Sequence, residues 1–141
     1  MSQRVEKAIE YNTKWGYNCS QAVALAYADL FDLDPVTCFK AMEAFGLGMG
    51  NRLGTCGALS GAIFLTGFVS STGNIDENPT TKSKKASYDL AAKIMSEFYE
   101  NHGSVTCGDL KNINGTHFTP CIKCIEEAAL LVEKYLITDK L

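Results

Sequence analysis

Apolar residues along most of the chain recur every three or four positions, the period of an amphipathic helix rather than of a strand. Val5, Ala8, Ile9, Asn12 and Trp15 share one side of a helix over residues 3–15, with Ser2 as its cap and Gly16 as its stop. Asn18 can cap a second helix from Cys19 to about Phe31. In it Ala22, Val23, Leu25, Ala26, Leu30 and Phe31 are apolar nearly all round, so this helix belongs in the centre. Asp34-Pro35 is a cap followed by a favoured first position, which predicts a third helix to about Phe45. Residues 46–54 are too glycine-rich for helix, and Thr55 is the expected cap of a fourth helix reaching about Val69.

Residues 70–79 read as a turn-rich surface linker. A long amphipathic helix is predicted from Thr80 to Asn101, with Tyr88, Ala91, Ala92, Met95, Phe98 and Tyr99 inward and His102-Gly103 as its end. Thr106 and Asp109 form a weakened capping box for one or two further turns. The last helix opens at Thr119-Pro120 and turns Cys121, Cys124, Ile125, Ala128, Leu131, Val132 and Leu136 towards the core. No strand pattern competes. The expected fold is all-α, a single-domain helical bundle of about five to six helices over residues 1–141.

Composition narrows the function classes. With 141 residues, 46% of them hydrophobic, the chain can bury a core without disulfide staples. A net charge of -3 and a pI near 5.3 give no broad basic footprint, so neither nucleic acid nor an anionic membrane is expected as a partner. The longest apolar tract, Ala58 to Val69, is far short of the roughly 20 residues needed to span a bilayer. The polar start, Met1-Ser2-Gln3-Arg4, lacks the apolar core of a secretory signal, and a cytoplasmic location is expected. In that setting six cysteines point to metal binding, catalysis or redox chemistry rather than to a static disulfide framework.

Four of the cysteines share a local setting: Asn18-Cys19, Thr55-Cys56, Thr106-Cys107 and Thr119-Pro120-Cys121 each place a thiol in the first turn after an expected cap. A helix start offers unpaired N–H groups and partial positive charge, so a thiolate there is stabilised below its free pKa of about 8.5. Short connections make successive helices antiparallel, which brings these helix starts to one end of the bundle. Cys38 falls at the other end and reads as a small buried hydrophobe. Cys124 lies one turn after Cys121 in the only C-x-x-C of the chain, and is either a resolving thiol, an extra ligand or a core residue.

The residues around these cysteines form a recognisable series: Tyr17-Asn18-Cys19-Ser20-Gln21-Ala22, Phe45-Gly46-Leu47-Gly48-Met49-Gly50, Gly54-Thr55-Cys56-Gly57-Ala58-Leu59-Ser60-Gly61, Thr106-Cys107-Gly108-Asp109-Leu110, and Cys121 with Ala128-Ala129. In this the chain resembles, over almost its whole length, the family of putative redox-active proteins named for the motif C…GCAxxG…C…C. The resemblance implies a redox or metal-linked role, an association with anaerobic prokaryotes and a relation to split-Soret cytochromes, with no established substrate. One departure is local: Thr55 precedes Cys56, and Gly57 separates it from Ala58, where the motif has Gly-Cys-Ala. Covalent haem is not expected, because Cys124 is followed by Ile125 and not by histidine.

Two chemistries remain open from the sequence. In thiol redox chemistry, as in a thiol oxidoreductase, Cys19, Cys56, Cys107 and Cys121 act with Cys124 as an auxiliary. In the alternative, Cys19, Cys56, Cys107 and Cys121 hold a metal ion or an iron–sulfur cluster as four thiolates. A non-enzymatic structural module is the third reading. His102 and His117 are candidate ligands or proton donors, and Arg52 with the glycine run is a weak anion cradle. Tyr17 is a candidate wall of the site. No residue names the redox partner, and an apolar face on the terminal helices would support a homodimer.

Overall fold

The computed structural model describes residues 2–76, 82–111 and 119–138. Helix α1 spans Gln3–Thr13, α2 Cys19–Tyr27, α3 Pro35–Met42, α5 Gly57–Ser70, α6 Lys84–His102, the single turn α7 Cys107–Leu110 and α8 Cys121–Tyr135, while α4, Gly46–Met49, is an irregular turn in which Leu47 and Gly48 are left-handed, as the glycine-rich run leads one to expect. Short 3-10 turns follow α2 at Ala28–Phe31 and α3 at Glu43–Phe45. The fold is all-α. Thr55 and Thr106 meet in an isolated antiparallel bridge, and no described helix is long and apolar enough to cross a membrane.

Helix α2 is central, as its all-round apolar pattern requires: Ala22, Val23, Ala26 and Tyr27 are buried between α1, α5 and α8, and Ala24 is buried against α3. The α2–α5 contact is close because Gly61 has no side chain. A Cβ there would lie 2.7 Å from the Ser20 carbonyl oxygen. That approach sets the starts of α2 and α5 side by side, which is where Cys19 and Cys56 lie. The core continues through Leu59, Leu65, Ile94, Phe98, Ile125, Leu131 and Val132. Cys38 is buried in a smaller cluster with Ala24, Ala28 and Met42.

Two apolar stripes differ from expectation. Trp15 is 62% exposed, because α1 ends at Thr13 and the chain turns before the indole can reach the core. On α6 the residues Tyr88, Ala92 and Tyr99 face outward and Ile94 and Phe98 are buried. That helix lies at the edge of the bundle and meets α5 and α8 along a stripe narrower than its apolar composition suggests.

Candidate functional site

Each cysteine is placed by hydrogen bonds that follow from its neighbours. At the start of α2 the Asn18 side chain accepts from the Gln21 amide at 3.0 Å, and Gln21 Oε1 accepts from the Asn18 amide at 3.0 Å, a reciprocal capping box. Asn18 Nδ2 and Gln21 Nε2 also donate to the carbonyls of Glu43 and Phe39, tying this start to the end of α3. Cys19 is therefore the fixed first residue of its helix. Tyr17 flanks it, stacked on Tyr11 with ring centroids 4.9 Å apart and edge-on to Phe39.

Cys56 and Cys107 are positioned against each other. The Cys56 amide donates to the Val105 carbonyl at 2.7 Å, and the Cys107 amide donates to the Gly54 carbonyl at 2.9 Å. Gly48, with φ +58°, makes room for this: a Cβ there would sit 2.3 Å from Cys107 Cβ. The start of α8 is anchored in turn by the Thr119 amide, which donates to the Leu110 carbonyl at 2.6 Å.

Three of the expected caps form differently. Thr55 is engaged in the bridge to Thr106, so Cys56 itself occupies the cap position of α5. Thr106 caps α7 in position but makes no side-chain cap bond, and its expected box partner Asp109 accepts from Ser104 instead. Pro120, not Thr119, is the cap residue of α8, which makes Cys121 the first helical position.

The sulfurs pair two by two. Cys19 interacts with Cys121, and Cys124 with Cys56, while the Cys124 thiol also donates to the Thr119 carbonyl at 4.0 Å. The outer pair, Cys19 and Cys121, reaches solvent through the exposed Cys121. The inner pair is sealed, with Cys56 at 3% and Cys124 at 0% exposure. Cys107, also buried, feels the charges of Cys56 and Cys121.

Helix starts do not lower every thiol, contrary to the simple expectation. Cys121 is lowered to about 5, first by the bond from Cys19 and then by the Lys111 ammonium and its own backbone amide. Cys56 is lowered to about 7 by the bond from Cys124, with the amides of Leu59 and Ala58 and the charge of Lys111 adding to it. Cys19 and Cys124 are pushed up because each is the proton donor to a thiolate and is buried. Cys107 is raised by burial, which the single turn of α7 is too short to offset.

Lys111 is the charged neighbour of the cysteines that sequence reasoning missed. It caps α7, is half-buried, and its Nζ donates to the Thr119 carbonyl at 2.8 Å and approaches Cys124 Sγ at 3.7 Å. It also donates to Cys121. Burial works against its charge, but Cys124, Cys121 and Cys56 more than offset this and hold its pKa above the ordinary lysine value. The signal was its spacing: four residues after Cys107, on the same short turn, it is the basic residue closest in sequence to that thiol.

The other candidates separate. His102 ends α6 with its ring against Phe98, centroids 4.8 Å apart, and its Nε2 is buried without a protein partner among the described residues. His117 lies outside the described residues. The glycine run is not an open anion cradle, because the amides of Gly50, Arg52 and Gly54 donate back to the carbonyls of Gly46, Leu47 and Gly48. Arg52 instead adds positive charge near Cys107.

A four-thiolate centre needs its sulfurs around one cation. The cation found against a sulfur here is the Lys111 ammonium, 3.7 Å from Cys124 Sγ. Among the described residues no three His, Cys, Asp or Glu side chains are arranged to hold a metal ion.

A family model described as "Putative redox-active protein (C_GCAxxG_C_C)" matches residues 17–135, a span that holds all six cysteines. No curated protein and no solved structure matches the chain.

Proposed function

The chain belongs to the C_GCAxxG_C_C family of putative redox-active proteins, and from that premise we propose that it is a thiol–disulfide oxidoreductase whose working pair is Cys19 and Cys121. One arrangement carries the reading: an exposed Cys121 at a helix start interacts with the half-buried Cys19, which with Lys111 holds the Cys121 thiol below the ordinary value. The Cys121 thiolate attacks one sulfur of a substrate disulfide, forms a mixed disulfide and releases the other sulfur as a thiolate. Cys19 gives its proton to that departing thiolate and attacks Cys121 Sγ. A Cys19–Cys121 disulfide forms, the second substrate sulfur leaves as a thiolate, and two electrons have passed to the substrate. Such a cycle suits a reducing compartment such as the cytoplasm, where the dithiol is regenerated.

Cys19→Ser tests the reading. In a Cys124→Ala background, which removes the other thiol next to Cys121, this variant should stop at the mixed disulfide on Cys121, visible as a stable mass adduct after treatment with a small aromatic disulfide at pH 6. The wild type should release both aromatic thiols and form a Cys19–Cys121 linkage as its first disulfide. An adduct equally stable in the wild type would sink the proposal, and so would a stoichiometric metal or labile sulfide in protein purified without air.

A further inference from the structure

The outer pair accounts for one round of exchange, yet it leaves unused a second pair that is already ionised in part. Cys56 and Cys124 are hydrogen-bonded to each other and shut off from solvent. A sealed thiolate cannot meet a protein or peptide disulfide, so any redox role for it must pass through a neighbouring sulfur. One route runs along α8 itself. Cys121 and Cys124 stand three residues apart in the first turn of α8, one exposed and one buried, at a spacing that makes them neighbours on the helix surface. Lys111 spans the two, donating to Cys121 and lying 3.7 Å from Cys124 Sγ, while its bond to the Thr119 carbonyl fixes it to the start of the same helix.

We propose that the inner pair reloads the outer pair through a transient Cys121–Cys124 disulfide formed beside Lys111, an extension that rests on the Cys19–Cys121 chemistry above. Once the outer pair is oxidised, Cys124 passes its proton to Cys56 and attacks Cys121 Sγ. Cys19 leaves as a thiolate and recovers a proton from Cys56. The Cys56 thiolate then attacks Cys124 Sγ and expels Cys121 as a thiolate. The products are a Cys56–Cys124 disulfide and a reduced outer pair, so two electrons have moved outward and no external reagent is consumed. Lys111 is a positioning residue in this exchange, its ammonium facing each thiolate as charge moves between Cys121 and Cys124.

The direction follows from the environments. A strongly stabilised thiolate favours the reduced form of its pair and makes the matching disulfide the better oxidant. A Cys121 thiolate reaches solvent, whereas Cys56 and Cys124 are buried, where a neutral disulfide costs less than a desolvated thiolate. The disulfide should settle on the inner pair, leaving Cys121 free for a second substrate.

The test is a time course on the fully reduced full-length chain, anaerobic at pH 6, with one equivalent of 5,5′-dithiobis(2-nitrobenzoate). Samples are quenched in acid, alkylated and mapped by mass spectrometry. A Cys19–Cys121 linkage should appear first and decay as Cys56–Cys124 rises. Cys121→Ser should show no inner linkage on that timescale. Lys111→Met should slow the second phase by roughly tenfold or more through loss of thiolate character, and Lys111→Arg should restore most of it. Two results overturn the relay: an outer linkage that persists in the wild type, or inner oxidation equally fast in Cys121→Ser. If no Cys19–Cys121 linkage forms at any time, the proposed function itself fails, which is a separate reading of the same map.

Discussion

Helix α8 carries a polar network at each end, and the two are built differently. Near its C-terminus Glu133 accepts from Tyr27 Oη at 2.6 Å and from the Ser2 hydroxyl, while Arg4 donates to Asp29 at 2.7 Å and to the Ala26 carbonyl at 2.9 Å. Every contact there is oxygen or nitrogen, short and directional, and the tyrosine is fully buried with its pKa raised by desolvation and by Glu133. At the N-terminus the contacts are between sulfurs and one ammonium. Sulfur bonds are longer and weaker, and their protons and electrons can be exchanged. One end therefore pins α1 and α2 to α8, and the other supplies thiols whose partners can change.

Substitutions at the two ends should separate these roles. The largest effect is expected from Cys121→Ser, which should abolish disulfide exchange at pH 6, measured as thiol release, and leave thermal stability within about 0.5 kcal/mol because the residue is exposed. Gly48→Ala should come next. It forces a methyl against Cys107 Cβ at a left-handed position, and a loss of about 1–3 kcal/mol in denaturant unfolding is expected. At the opposite end Tyr27→Phe removes the buried hydroxyl that serves Glu133. It should cost about 1–2 kcal/mol of stability and leave the rate of thiol exchange unchanged. A Tyr27→Phe protein with altered exchange kinetics would break the separation.

The smallest effect is a pH dependence of stability that Cys121→Ser should reduce, the buried Cys56 keeping its own share. Between about pH 5 and the unfolded thiol value of about 8.5 the native outer pair holds one proton where the unfolded chain holds two, so stability rises with pH. Above that value the unfolded thiols have ionised while Cys19 keeps its proton, and stability falls again. Solvent around the exposed Cys121 keeps the amplitude small. Chemical denaturation from pH 4 to 10 would show the dome, and a wild type with no steeper dome than the variant would contradict the thiolate assignment.

The helical architecture was legible because its signals are local. Asn18 with Gln21, Asp34 with Pro35, and His102 with Gly103 mark helix ends through bonds made within a few residues. The central place of α2 followed from its lack of a polar face. The helix-start setting of Cys19, Cys107 and Cys121 was local in the same way. The α6 face was less legible, since a helix at the edge of a bundle buries only part of what its composition would allow.

What the sequence determined by itself is thus an all-helical chain with thiols at helix starts, since 3.6-residue periodicity and capping act over one or two turns. The pairing of those thiols was decided only by tertiary structure. Thr55 could not act as a cap once it bridged Thr106, and Cys56 took that position. Cys124 left the list of auxiliary residues to face Cys56, and Lys111 came between Cys121 and Cys124 from a segment ten or more residues away. Charge and hydrogen-bond partners depend on distance in space, falling off over a few ångströms. Which cysteine is thiolate and which is thiol therefore appears only when the helix starts have been brought together.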